Sequence, residues 1–264
     1  MSEFSAEWLA LREPADWRAR SRRVTEAALG ALPSGRLIRA VDLAAGTGSN
    51  ARFLAPLVPS PQEWVLVDRS PQLLARAQRD ASFSLRTRVL DLCSLERLDD
   101  VLTSCDLVTA SALLDLVSES WLEALCAMCR KRRGVALFAL SYDGRIACSP
   151  EDANDERIRE LVNRHQRTDK GFGLALGPDA TDCAAAHFMA AGYRVVRDRS
   201  DWVLEAESAE LQRQVIAGWA SAAAEIAPLE AGAIAAWRQR RFTYVSERRS
   251  RLTVGHEDLG AFMA

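Results

Sequence analysis

Short apolar runs alternate with segments whose apolar residues recur at helical spacing, and the alternation repeats five times before the pattern changes. Residues 5–31 read as one or two amphipathic helices interrupted near Pro14, since proline lacks the N–H that a helix interior uses. Leu37 to Leu43 is an apolar run ending in small residues, Ala44-Ala45-Gly46-Thr47-Gly48, and predicts a buried strand that turns sharply. A short helix from about Asn50 to Val58 is closed by Pro59 and Pro61, and Trp64 to Asp68 is the second strand. Ser70-Pro71 supplies a cap and a first-turn proline for a helix to about Ala81. Leu85 to Leu92, Asp106 to Ala110 and Val135 to Leu140 are the next strands, with a Ser118-capped helix to Arg130 before the last.

Beyond Leu140 the pattern loosens. Tyr142 to Pro178 is polar and glycine-punctuated, with a helix around Asp155 to Arg164. A helix from Asp182 to Ala191 and a strand from Tyr193 to Arg197 follow. Alanine-rich helices over Ala206 to Ala224 and Leu229 to Ser246 then precede a last strand, Arg251 to Phe262. Strand-helix alternation of this kind predicts an α/β fold with a doubly wound, mostly parallel sheet, here of seven strands. N-terminal helices precede the sheet, and a helical insertion comes before its last strand. No repeat, low-complexity tract or linker divides residues 1–264, which read as a single domain.

The formal net charge of -2 gives no global field toward nucleic acid or an anionic membrane. The stretch from Met1 to Leu11 has early acids and no apolar core of a leader, and no apolar run approaches a membrane span, so a cytoplasmic protein is expected. Six scattered cysteines fit reduced thiols, and Cys126-x-x-Cys129 lies on a helix without a second metal-spaced pair. The one dense basic run, Arg130 to Arg133, closes a helix, where cations complement the dipole. Partners are therefore expected to be small molecules and not nucleic acid or membrane, with the chain a monomer or homodimer.

The turn after the first strand is the most informative segment. A ligand pressed against a tight strand-to-helix turn requires residues with little side chain, and Gly46 and Gly48 meet that need. Twenty residues beyond Gly48, Asp68 ends the second strand, where a carboxylate can accept from both hydroxyls of a ribose. This much fits any nucleoside cofactor, and an NAD(P)-dependent oxidoreductase remains open. Asp42, ahead of the turn, would repel a pyrophosphate but suits an ammonium. Asp91-Leu92, ending the third strand, can accept from an adenine amine.

These residues resemble the class I S-adenosylmethionine-dependent methyltransferases, over about residues 36–142. The first motif stands as Asp42-Leu43-Ala44-Ala45-Gly46-Thr47-Gly48, with alanine where the family usually has glycine at Ala44. The ribose acid is Asp68 in Val65-Leu66-Val67-Asp68, the adenine pair is Asp91-Leu92, and the segment after strand four is Thr109 to Asp115. The resemblance implies a Rossmann-like core that takes S-adenosylmethionine and transfers its methyl group in line. Residues 1–35 would be a helical cap, 36–142 the cofactor-binding core, and 143–264 the acceptor side. It assigns Asp42, Ala44, Gly46, Gly48, Asn50, Asp68, Arg69, Asp91, Leu92 and Ser111 to the cofactor, with Arg12 or Arg18 on its carboxylate. A methyltransferase-like scaffold subunit that binds the cofactor without turnover is a further alternative.

On the acceptor side, no Asn/Asp-Pro-Pro-aromatic run follows strand four, and no Pro-Cys nucleophile is present, so the acceptor is expected to be a small molecule. His165 to Gly173 packs an imidazole, two cations and an aromatic between glycines. There Arg167 or Lys170 would grip an anionic group and His165 would take a proton. Trp8, Asp115 and Tyr142 are eligible for acceptor contact by their positions. His187, on an apolar helix, reads as a core histidine, and His256 is given no role.

Overall fold

The computed structural model describes residues 5–59 and 61–263; the first four residues, over which no leader was expected, lie outside it. Helices α1 (Ala6–Ala19) and α2 (Arg22–Gly30) open the chain. Pro14 sits inside α1, and the break comes at Arg20-Ser21 instead. Ala10, whose carbonyl Pro14 leaves without a donor, is exposed along with Pro14, so water can take that bond. The break forms where Ser21 caps α2 through Val24 N–H, while its own N–H is held by the Asp258 carboxylate at 2.9 Å.

The core then runs β1 (Ile38–Leu43), α3 (Ser49–Leu54), β2 (Gln62–Asp68), α4 (Pro71–Asp80), β3 (Leu85–Val89), α5 (Leu95–Val101), β4 (Leu107–Ser111), α6 (Glu119–Arg132) and β5 (Val135–Ser149). After it come α7 (Asp155–Gln166), α8 (Ala180–Ala190), β6 (Arg194–Arg199), β7 (Trp202–Leu204), α9 (Ala209–Ile226), α10 (Ala231–Ser246) and β8 (Arg251–Phe262). The sheet order is β3-β2-β1-β4-β5-β8-β6, with β7 also pairing β8. Strands β1 to β5 are parallel; β8 runs antiparallel to β5, β6 and β7. The sheet is thus the expected doubly wound one, with one strand more than the sequence predicts, the three-residue β7. The chain order reverses direction between β1 and β4, and the crevice of such a sheet opens there, at the carboxyl ends.

Alternation along β1 explains the layering. Ile38 and Ala40 point into the apolar cluster under α2, α3 and α4, whereas Val41 and Leu43 join the cluster under α5, α6 and α8. A third cluster joins α1, α7, α9 and α10 to the far ends of β5 and β8. It exists because β5 does not stop at Leu140 as its apolar run predicts. Two register shifts bend it and carry it on to Ser149, with Leu140 at φ +55. The fully buried Asp258 carboxylate accepts the N–H of Leu140 at 2.8 Å, filling the gap that the bulge leaves in the ladder.

Candidate active site

The loops after β1 to β4 meet α1 in a two-part crevice. The inner part, about 60 Å³, is lined by Arg12, Asp16, Arg20, Asp42, Gly46 and Asn50, among others. The outer part, about 230 Å³, is lined by Asp68, Arg69, Leu90, Asp91, Leu92 and Phe172, among others. Leu9, Arg12, Ala44, Gly46 and Ser111 line both, so the two parts are continuous.

Gly46 stands at the waist. It adopts φ +53, and a Cβ there would lie 2.9 Å from Leu9 Cδ1 on α1, which roofs the turn. Its N–H donates to Asp68 Oδ2 at 2.8 Å, while Asp68 Oδ1 accepts from Ser70 N–H at 2.9 Å. Asp68 is thereby fixed against the turn, with lone pairs left for ribose hydroxyls. Ala44 also has positive φ, +52, which accounts for the glycine usual there. Gly48, at φ +79, is different: its missing Cβ makes room for Ala77 and Leu66, and it does not line the crevice. Its assignment to the cofactor is corrected to the packing of α3 against α4.

The inner part is built from buried charges. Asp42 is fully buried; its Oδ1 accepts from Asn50 Nδ2 at 2.7 Å, and its Oδ2 has no partner among the described residues. Burial pushes its pKa up to about 7, against the pull of Asn50 and Arg20. Arg20 donates from Nη1 to Asn50 Oδ1 at 2.6 Å and lies 3.5 Å from Asp258, yet its Nη2 is without a partner among the described residues. Arg12 is clamped to Asp16 through Nε and Nη2, and Asp16 also accepts Trp202 Nε1 at 3.0 Å. An unpartnered carboxylate oxygen and an unpartnered guanidinium nitrogen, both on one small crevice, match the two ends of an amino-acid zwitterion. The outer part offers apolar walls of Leu73, Leu90 and Leu92 for a base. Asp91 sits at its rim, held below the usual carboxylate range chiefly by Cys93 N–H. The residues present therefore fit a nucleoside linked to an amino acid. A dinucleotide would instead set its pyrophosphate against Asp42.

Arg20, Asp16 and Leu9 are not legible as site residues, whereas Phe172, the aromatic of the 165–173 segment, does line the crevice. Arg18 was singled out, but it is exposed and lines a separate groove with Glu205, Glu207 and Glu210. A helix places residues 12 and 18 on different faces, so one helix cannot offer both arginines to one ligand. His165 is likewise kept from the crevice. It ends α7, with Nε2 3.1 Å from Glu225 of α9 and Nδ1 3.2 Å from Lys170 Nζ, and burial and Lys170 lower its pKa. Arg167 is engaged with Asp179 at 2.9 Å, and the Tyr142 hydroxyl donates to Asn163 at 2.7 Å. Trp8 packs on the third apolar cluster, its Nε1 buried without a partner among the described residues.

Asp115 is placed more suggestively. It lies in the turn between the crevice residues Leu113 and Leu116 and is 6 % exposed, with Oδ1 unpartnered. Burial raises its pKa to about 6, opposed by Arg12 and Lys170 among others. His256, given no role from sequence, is also buried beneath Arg12. Its ring is edge-on to Trp202 at 5.3 Å, its Nδ1 lacks a partner, and burial drives its pKa down to about 3. No local signal marks it, because β8 brings it under α1 from the far end of the chain. His187 is not the core residue expected; it is half-buried between α8 and α6.

Residues 40–132 match the family model described as a methyltransferase domain. No curated protein matches the sequence. Among solved structures, the cyclopropane synthase MmaA2 from Mycobacterium tuberculosis is similar over 98 % of this chain and 94 % of its own, at 12 % identity and TM-score 0.53. A precorrin-6y C5,15-methyltransferase from Geobacter metallireducens aligns over 92 % of this chain and 89 % of its own, at 14 % identity and TM-score 0.46. The first of these likenesses supports the fold. Residues 40–132 are thus similar to a methyltransferase domain over about a third of the chain.

Proposed function

We propose that the chain transfers the methyl group of S-adenosylmethionine to a small-molecule acceptor, with 1–35 as cap, 36–142 as donor-binding core and 143–264 as acceptor side. The observation that carries the reading is the divided crevice, one part apolar and the other holding opposite unpartnered charges. Asp42 takes the ammonium, and Arg20 and Arg12 take the carboxylate. Asp68 takes the ribose hydroxyls, Asp91 and Leu92 the base, and Ala44, Asn50, Arg69 and Ser111 complete the walls. The donor supplies an electrophilic methyl group on a sulfonium, whose charge is lost in the transfer.

The protein's own work is to hold the donor rigid and keep water out, since alignment alone can supply much of the rate. Leu9 and Phe172 close the crevice from α1 and from the loop after α7. Asp115, with one unpartnered oxygen in the turn behind the crevice residues Leu113 and Leu116, would be the group to take a proton from an O–H or N–H acceptor that reached it. The test is to incubate the chain with methyl-tritiated S-adenosylmethionine and a fractionated metabolite extract. Label in a small organic acid or phenol-like fraction is the expected result. Label confined to macromolecules, or none at all, contradicts the proposal.

A further inference from the structure

Outside the crevice, α6 and α8 bring together a second chemically coherent group. Cys183 and His187 are four residues apart on α8 and so share one helix face. That face meets Glu119 in the first turn of α6, with His187 Nε2 3.2 Å from Glu119 Oε1. The thiol sulfur, an imidazole nitrogen and a carboxylate oxygen all lie within 4.8 Å of one another. Cys183 and His187 are half-buried and Glu119 is exposed, so an ion can enter without unfolding the helices.

Sulfur, nitrogen and oxygen from three side chains form a donor set for zinc, which takes four ligands in a tetrahedron and tolerates water as one of them. Calcium and magnesium prefer oxygen alone. We propose that Glu119, Cys183 and His187 bind a zinc ion, with water as the fourth ligand, clasping α6 to α8. On binding, the Cys183 thiol gives its proton to solvent and new bonds form from zinc to Sγ, to an imidazole nitrogen and to a carboxylate oxygen; nothing is oxidised or reduced. The clasp bears on the crevice wall, because two residues along α6 Trp121 donates to the Leu92 carbonyl at 2.7 Å. The inference does not rest on methyl transfer.

The test is to titrate chelator-treated full-length protein with zinc chloride by calorimetry, and in parallel with cobalt(II) by absorbance. About one zinc per chain is expected, with affinity weakened roughly tenfold or more in both Cys183→Ser and His187→Gln. Cobalt should give a thiolate charge-transfer band that disappears in Cys183→Ser and survives in Cys126→Ser. Absence of saturable zinc binding, or a band indifferent to Cys183→Ser, overturns the proposal. Cys183 and His187 are partly exposed and Cys126 is buried, so thermal melting confirms that each of the three variants is folded.

Discussion

The proposed donor end of the crevice and its proposed acceptor side are built by different means. At the donor end, ligand-facing groups sit at the tips of parallel strands, and their order along the chain is their order in space: Asp42 after β1, Asp68 after β2, Asp91 after β3. On the proposed acceptor side, Asp115 and Phe172 come from the turn after β4 and the loop after α7, far apart along the chain. The helix before that loop is held by a pair between distant parts of the chain, Arg241 of α10 with Asp155 of α7. Strand-tip sites are specified locally and tolerate change around them. A site assembled across the chain depends on the pairs that bolt its pieces together.

The largest effect that would sharpen this contrast is at Arg241, fully buried and donating to both oxygens of Asp155 and to the Pro150 carbonyl. Arg241→Ala leaves a carboxylate without its cation and should cost about 3–5 kcal/mol of stability in urea unfolding. The folded fraction should keep its S-adenosylhomocysteine affinity. A loss under about 1 kcal/mol would mean that the acceptor-side core does not depend on this pair.

Next is Asp68→Ala, expected to weaken S-adenosylhomocysteine binding by about 1–3 kcal/mol and to lower the melting temperature modestly, since the Gly46 and Ser70 N–H groups lose their acceptor. Equal affinity in calorimetry would break the ribose assignment.

Asp42 offers a subtler probe. With its pKa raised to about 7, it is increasingly protonated below that pH and can no longer attract an ammonium. Cofactor affinity should therefore rise with pH through about 7, by at most about tenfold per unit, and Asp42→Asn should flatten the profile. The same upward shift favours the protonated folded state, so Asp42's contribution to stability is full below about pH 4 and lost as pH rises toward 7. An affinity profile unchanged by Asp42→Asn would remove the carboxylate from the ammonium's partner list.

Smallest is Ala44→Gly. Relief of about 1 kcal/mol of left-handed strain, against about 0.5 kcal/mol of added chain entropy, should leave a net gain of about 0.5 kcal/mol. A net loss would show that the alanine methyl packs usefully in the turn.

The same contrast explains what the sequence disclosed. Strand-tip motifs are local in sequence, so the turn at Gly46, the acid at Asp68 and the parallel core could all be read from spacing. The bent half of β5 could not, because Ser141, Asp143 and Arg145 look like loop until Asp258 is known to mend the bulge. The seven-residue α5 and three-residue β7 are too short to show periodicity. Arg20 reads like any helical arginine; only the fold reveals it buried against Asn50 and Asp258. His165 attracted a catalytic reading from its glycine-flanked neighbours, yet its ring is occupied by Glu225 and Lys170. Gly48 satisfied a motif for a reason of packing.

The most direct measurement is a pair of calorimetric titrations of the full-length protein, one with S-adenosylhomocysteine and one with NADH. Saturable one-to-one binding of S-adenosylhomocysteine, with no heat from NADH, is the predicted result. Tight NADH binding without any response to S-adenosylhomocysteine would contradict it.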